Sequence, residues 1–290
     1  MRRGALLLPV LALGAGSACV PAARGAAPAT GDQGGRLVLV ELYTSQGCSS
    51  CPAADAFVRD LPRLGFDRRR VVPLTFHVDY WDDLGWKDPF ASQAFTDRQR
   101  RYADLGQLRS PEGEDGLRGL YTPQMIIDGA VHFSGRRRDV ALREIQKAAA
   151  QPSAVGLQAT AVTAGDRATV SVRVVPAGGA APRGPLRLFV ALASTAARTR
   201  VTRGENSGAT LEEAAIVRAL SEPVRLTTAP AEPVTFTVSK PTELPWSSIE
   251  LDAILASETT WNVLAVQTVA VARPVTVDEQ RRSTGGGSER

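Results

Sequence analysis

Leu37-Val38-Leu39-Val40-Glu41-Leu42-Tyr43-Thr44-Ser45-Gln46-Gly47-Cys48-Ser49-Ser50-Cys51-Pro52 joins an apolar run to two thiols separated by two residues. Leu37 to Leu42 has the aliphatic content of a buried strand, and Ala53 to Leu64 carries a helical apolar period with Asp55 and Asp60 outside its apolar face. The dithiol therefore falls at a strand-to-helix junction. A thiolate is the attacking species in disulfide chemistry, and a cysteine at a helix N-terminus loses its proton more readily, because unpaired N–H groups favour the anion. Cys48 is the expected nucleophile. Cys51, one turn later, is the expected resolving thiol, which attacks a mixed disulfide and releases the substrate.

The chain has three cysteines, and Cys19 lies in the N-terminal stretch, so the remainder carries only this pair. A bridge across so short a loop removes little entropy from the unfolded chain, which favours redox use over stapling. Zinc sites share the spacing but need further ligands, and only His77 and His132 are on offer. No metal site and no organic cofactor are expected.

Length and charge narrow the field. At 290 residues, 43% hydrophobic and 22% charged, the chain has the composition of a globular protein with ample core. A net charge of +4 is mild, and Arg68-Arg69-Arg70 and Arg136-Arg137-Arg138 read as solvated helix ends or loops rather than a nucleic-acid surface. Residues 1–29 read as a signal segment. Arg2 and Arg3 form a charged n-region, Ala5 to Ala15 a short apolar h-region, and small residues follow. Gly16-Ser17-Ala18-Cys19 partly matches a lipoprotein box, which would place a lipid anchor on Cys19; cleavage after Ala29 is the alternative. Both routes give a periplasmic or secreted protein with no transmembrane helix.

Two composition zones meet near Gln151-Pro152-Ser153. Before them, Val71 to Val78 is the second strand and Phe90 to Leu105 an amphipathic helix. Gln124 to Ile127 and Val131 to Phe133 flank the hairpin signal Asp128-Gly129, and Val140 to Ala150 is helical. The order β-α-β-α-β-β-α is the minimal order of a thioredoxin fold. After Pro152, short β-branched stretches such as Ala168 to Val175, Leu186 to Ala193, Val234 to Val238, Ile249 to Leu255 and Val263 to Val271 alternate with turns. Leu211 to Leu220 is helix or strand. The expected fold class is an α/β thioredoxin-like domain (36–150) followed by an all-β sandwich domain (154–273), with a disordered tail at 278–290.

Three further features bear on the site. Thr122-Pro123 precedes the third strand, where a cis X-Pro bond facing the dithiol is expected. Glu41 interrupts the first strand; it is either a buried acid that takes a proton from Cys51 or a strand-end glutamate paired to an arginine. His77 to Trp86 holds two of the four tryptophans, Trp81 and Trp86. His77, Asp79, Tyr80 and Trp81 are candidate substrate-contacting residues, with His77 or Asp79 moving protons. The alternative is that this stretch pins a loop to the core, the role assigned to Trp86. Arg203-Gly204-Glu205-Asn206 is a tight turn or a contact between the two zones.

Thr44-Ser45-Gln46-Gly47-Cys48-Ser49-Ser50-Cys51-Pro52, Phe76-His77-Val78-Asp79-Tyr80-Trp81-Asp82, Leu84-Gly85-Trp86 and Tyr121-Thr122-Pro123-Gln124 together resemble an exported bacterial thioredoxin-like family of unknown function, over roughly Leu37 to Leu220. The resemblance implies a thioredoxin-like fold and a redox role. Leu39-Val40-Glu41-Leu42-Tyr43 is also similar to the thioredoxin strand that bears a buried acid. Departures are one extra residue before the first cysteine, no tryptophan preceding it, and Ser49-Ser50 in place of Gly-Pro.

The function expected from the sequence is an exported thiol–disulfide oxidoreductase. It would exchange disulfides through a mixed disulfide on Cys48, with protein thiols or disulfides as partners. The alternatives are a copper(I) carrier, which two thiolates suit although Met125 is the only methionine beyond Met1, and a redox-inert interaction module.

Overall fold

A computed structural model describes residues 36–111, 119–153, 155–178 and 184–272. The expected signal segment, Cys19 and the expected tail lie outside these residues.

Alternating burial explains the first strand. β1 (Val38–Thr44) is buried along its whole length. Val38, Val40 and Leu42 face one core, together with Ala54, Phe57 and Val58 of α1 (Pro52–Asp60). Leu39 and Tyr43 face a second core on the opposite side. α1 starts with Pro52 at its first turn, where the missing N–H costs nothing, and Cys51 caps it by accepting from the N–H groups of Ala54 and Asp55. A short 3-10 turn, Leu61–Leu64, completes the predicted helical stretch.

β2 (Val71–His77) pairs parallel with β1, in register Leu42 to Thr75 and Thr44 to His77. α2 (Gln93–Leu105) is capped by Ser92, whose hydroxyl accepts from the Ala94 N–H. β3 (Gln124–Ile127) and β4 (Val131–Ser134) form the expected hairpin, pairing Ile127 with Val131. Asp128 and Gly129 both take positive φ (49° and 63°) in its turn. α3 (Arg138–Ala149) closes this part of the chain.

The remaining described strands are β5 (Val155–Ala164), β6 (Arg167–Pro176), β7 (Leu186–Arg200), β8 (Thr210–Leu220), β9 (Val224–Leu226), β10 (Val234–Ser239), β11 (Ile249–Ser257), β12 (Val263–Thr268) and β13 (Ala270–Ala272). Leu211 to Leu220 is thus strand.

The expected fold class is corrected by how these strands pair. Strands of both composition zones join in one mixed nine-stranded sheet, ordered β12-β11-β7-β8-β2-β1-β3-β4, with β9 on β7. The chain is mostly β, with three α-helices among the described residues, and not an α/β thioredoxin-like domain followed by a sandwich. The seam is β2 against β8. Thr75 pairs with Ile216 in parallel, and the Thr75 hydroxyl donates to the Ala214 carbonyl at 2.9 Å. A second sheet, β10-β6-β5-β13, packs its apolar residues against the far strands in a third core, Val170, Val172 and Phe236 meeting Leu188, Val190 and Leu251. β8 carries the irregularity that lets it serve two neighbours: Ala215 adopts φ 54°, and the β7–β8 register shifts at Leu192 and Ala193.

Candidate functional site

The two thiols lie where β1 meets α1, and both are free. Cys48 is 1% exposed and Cys51 fully buried, while Ser49 between them is exposed. A tight turn links the pair, the Cys51 N–H donating to the Cys48 carbonyl at 3.2 Å. The Cys48 sulfur lies 3.2 Å from the Ser50 hydroxyl and 3.9 Å from the Thr122 carbonyl. The Thr122–Pro123 bond is cis.

The electrostatics of the two sulfurs diverge. A hydrogen bond from Cys51 is the main cause that brings Cys48 down to about 6; burial opposes it, and Ser50 and Thr122 add to it. Burial, then the adjoining Cys48 sulfur, pushes Cys51 well above the ordinary thiol range. The surroundings thus favour the anion at Cys48 and the neutral thiol at Cys51.

Beneath the pair lies a buried polar cluster that the sequence pattern assembles only in part. The Thr44 hydroxyl donates to Asp55 Oδ2 at 3.2 Å. His77 is fully buried, with Nδ1 2.7 Å from Asp88 Oδ2 and Nε2 3.9 Å from Glu213 Oε1. Gln46 ties the set to the dithiol loop. Its N–H donates to Asp88 at 2.8 Å, its amide donates to Glu213 at 2.7 Å, and its amide oxygen accepts from Trp86 Nε1 at 3.2 Å. Burial, followed by the Glu213 charge, raises Asp55 to about 8. Burial by itself would lower His77; the carboxylates of Asp88, Glu213 and Asp55 outweigh it and raise the imidazole to about 9. Burial would raise Asp88, but His77 and the N–H groups of Gln46 and Phe90 bring it below the usual range.

The β7–β8 turn closes over the loop. Ser49 N–H donates to Glu205 Oε2 at 2.8 Å, and the Asn206 amide donates to the carbonyls of Gln46 (2.9 Å) and Cys48 (3.0 Å). Arg203 to Asn206 is therefore both a turn and a contact between the two zones.

The other predicted site residues separate into groups. Glu41 shares the face of Leu39 and Tyr43, away from α1, and accepts from Arg98 (2.9 Å from Nε, 2.8 Å from Nη2) and from the Tyr102 hydroxyl (2.6 Å). Of the two alternatives for Glu41, the arginine pair is the one present. Asp79 turns to α2, its N–H donating to the Thr96 hydroxyl at 3.1 Å. Tyr80 is 37% exposed and donates to Gln99 Oε1 at 3.2 Å, and Gln99 in turn donates to the Tyr121 carbonyl at 2.8 Å. Trp81 packs on the second core, close enough to the dithiol loop that a Cβ on Gly47 would lie 3.2 Å from its own Cβ. His77 belongs to the cluster beneath the thiols rather than to a surface lip.

Asp55, expected outside the apolar face of its helix, is 5% exposed and central to the cluster. Asp88 and Glu213 carried no sequence expectation. The spacing Cys51 to Asp55, one helical turn, is the signal that was available. Among the described residues, no group of three His, Cys, Asp or Glu is placed to hold a metal ion. No helix of the described residues is long and apolar enough to cross a membrane. A surface cavity of about 620 Å³ opens elsewhere, lined by Phe90, Arg187, Phe189, Arg218 and Trp261, and touches neither cysteine.

Sheet and site together define a β-rich protein whose mixed sheet carries a dithiol over a buried charged cluster. The chain belongs to a family described as protein of unknown function (DUF1223), which it matches over residues 39–254. Among solved structures, it is similar to protein AGR_C_4864 from Agrobacterium tumefaciens at 25% identity and a TM-score of 0.56, covering 81% of this chain and 95% of that one. A domain of the outer membrane lipoprotein Omp28 from Porphyromonas gingivalis matches at 12% identity and a TM-score of 0.29, over 42% of this chain and 90% of that one, too distant to carry an argument. No curated protein matches.

Proposed function

We propose that this chain is an exported thiol–disulfide oxidoreductase in which Cys48 attacks a substrate disulfide and Cys51 resolves the mixed disulfide. The observation that carries the proposal is the contrast between the two sulfurs. A Cys48 thiol brought to about 6 is mostly thiolate at neutral pH, whereas its neighbour is held protonated. A structural thiol pair needs no such contrast. Exchange begins once the exposed Ser49 and its neighbour shift enough to admit a substrate sulfur, since Cys48 lies just below the surface. The partners are protein thiols or disulfides.

The test is disulfide exchange with the purified protein and an oxidised protein substrate. Cys48→Ser abolishes turnover, and Cys51→Ser accumulates mixed disulfides visible on a non-reducing gel. Retained turnover in Cys48→Ser ends the proposal.

A further inference from the structure

We infer that Asp55, reached through the Thr44 hydroxyl, is the base that accepts the Cys51 proton when the mixed disulfide is resolved, and that the opposing charges of His77 and Glu213 set its basicity. This deepens the function proposed above and rests on it.

The need for a base follows from burial. Cys51 is fully buried and held above the ordinary thiol range, so it cannot ionise into solvent unaided. The Thr44 hydroxyl donates to Asp55 Oδ2 at 3.2 Å and neighbours the Cys51 thiol; with its one proton turned to Asp55, its oxygen can accept from the Cys51 S–H. A hydroxyl that accepts from one group while donating to another is a one-atom proton bridge. Asp55 follows Cys51 by four residues, so one helical turn stacks both side chains on the same face of α1. Thr44 and His77 are register partners on β1 and β2, and partners on adjacent parallel strands point to the same face. Asp55, Thr44 and His77 therefore meet between the sheet and α1.

The buried atoms without a hydrogen-bond partner among the described residues include Asp55 Oδ1, His77 Nε2 and Glu213 Oε1, the last two facing each other at 3.9 Å. Buried polar atoms without a hydrogen bond are costly, and three of them fall on residues of one cluster that sense one another's charge. The groups facing Asp55 are Glu213 from β8, His77 from β2, Thr44 from β1, Cys48 of the dithiol loop and Cys51 one turn before it. Arg59, on its own helix, turns away to the Glu212 carbonyl. Among the groups facing Asp55, His77 is the cation, braced by Asp88 at 2.7 Å; it offsets part of the burial that raises Asp55 to about 8, so near neutrality the ionised fraction of Asp55 accepts the proton. Glu41, the acid picked out by the sequence, is bound to Arg98 on the opposite face.

The step balances. The Cys51 S–H proton passes to Thr44 Oγ1 while the Thr44 hydroxyl proton passes to Asp55 Oδ2. The Cys51 sulfur attacks Cys48 Sγ, the Cys48–Cys51 bond forms, and the bond from Cys48 to the substrate sulfur breaks. That sulfur leaves as a thiolate with its electron pair and later takes the proton from Asp55. The two protein thiols lose two electrons, and the substrate disulfide gains them.

Rapid-quench mass spectrometry of the reduced protein mixed with glutathione disulfide separates the two phases, formation and then loss of the glutathione adduct. Asp55→Asn slows loss of the adduct on the order of 100-fold near neutral pH and leaves its formation within about twofold. Asp55→Glu recovers part of the rate. His77→Gln moves the pH profile of the second phase upward and leaves that of the first in place. Thr44→Val slows the second phase while Thr44→Ser restores it, and this pair decides the question if Asp55→Asn does not fold. If Asp55→Asn folds and resolves its adduct at the wild-type rate, or if Thr44→Val does, Asp55 is not the base and the dithiol function stands. If the wild type forms no adduct at all, the dithiol function falls and this assignment with it.

Discussion

The backbone N–H of Ser49 donates to the Glu205 carboxylate at 2.8 Å, although 156 residues separate them. The residue between the two cysteines is thus held by the turn that joins β7 to β8, and the neighbouring Asn206 holds the carbonyls of Gln46 and Cys48. The loop that presents the nucleophile is shaped from the far half of the chain. Asn206→Ala removes two hydrogen bonds and is expected to lower stability by about 1–2 kcal/mol. It should also raise the alkylation rate of Cys48, because the loop is freed more than the core. Denaturant unfolding and iodoacetamide trapping read the two effects, and an unchanged alkylation rate would show that the turn does not govern access.

Glu41 and Arg98 form a buried pair in which the guanidinium lies 5.2–5.6 Å from the rings of Phe76, Tyr102, Phe189 and Trp261. Glu41→Ala strands a buried cation and should cost about 3–5 kcal/mol. Because the pair sits on the face away from α1, the thiolate titration of Cys48 should stay where it is. A shift of that titration in Glu41→Ala would place the acid back in the dithiol chemistry.

These two cases show what the sequence could and could not convey. The dithiol junction, the Asp128-Gly129 hairpin and the positions of the helices rest on local patterns, and local patterns survive in a single sequence. The parity of Glu41 was also readable: strand alternation puts it with Leu39 and Tyr43, on the side opposite Val40 and Leu42. Glu213 was harder. It is a buried residue of β8 in phase with Leu211 and Ala215, but a stretch undecided between helix and strand has no phase to read. The seam of Thr75 with Ile216 left no trace, since pairing across so long a separation has no period. That missing contact is why the two composition zones looked like two folds.

The turn at Gly129 offers a direct check of the hairpin and of what packs on it. Its φ of 63° suits glycine, and a Cβ there would fall 2.2 Å from the Trp261 carbonyl oxygen. Gly129→Ala must move backbone against backbone, which overpacking data put at about 1–3 kcal/mol or more. Chemical denaturation measures it; a loss within a few tenths of a kcal/mol would mean that the β3–β4 turn and the Trp261 loop do not meet in this way.

Cys48 owes its low pKa first to the hydrogen bond from Cys51. The ultraviolet absorbance of the thiolate should therefore titrate with a midpoint near 6 in the reduced protein. A hydrogen bond to a charged group contributes about 1.5–3 kcal/mol, which corresponds to roughly one to two pKa units. Cys51→Ala is expected to raise the midpoint by that amount and Cys51→Ser by less, because a hydroxyl still donates. Equal midpoints in all three proteins would assign the shift to the loop backbone instead.

The chain has two histidines, and burial treats them differently. His132 is pushed below its ordinary value by burial, whereas His77 is raised to about 9, its own burial being outweighed by Asp88, Glu213 and Asp55. Two ring signals in an NMR titration should thus move on opposite sides of the ordinary value of 6.5, and Asp88→Asn should bring the higher one down. The consequence for stability has a fixed sign. A folded-state pKa raised above the unfolded value stabilises fully below 6.5, and that contribution is lost as the pH rises through about 9. Asp55, raised from 3.8 to about 8, loses its contribution in the same direction as the pH rises between those values. Cys48 opposes both, because its depressed pKa adds stability as the pH rises from about 6 toward 9. Cys48→Ser removes the opposing group, so the unfolding free energy of that variant should fall from neutral to alkaline pH more steeply than in the reduced wild type. A flat profile in Cys48→Ser, or two histidines titrating together, would mean that the cluster under the dithiol does not hold a buried imidazolium.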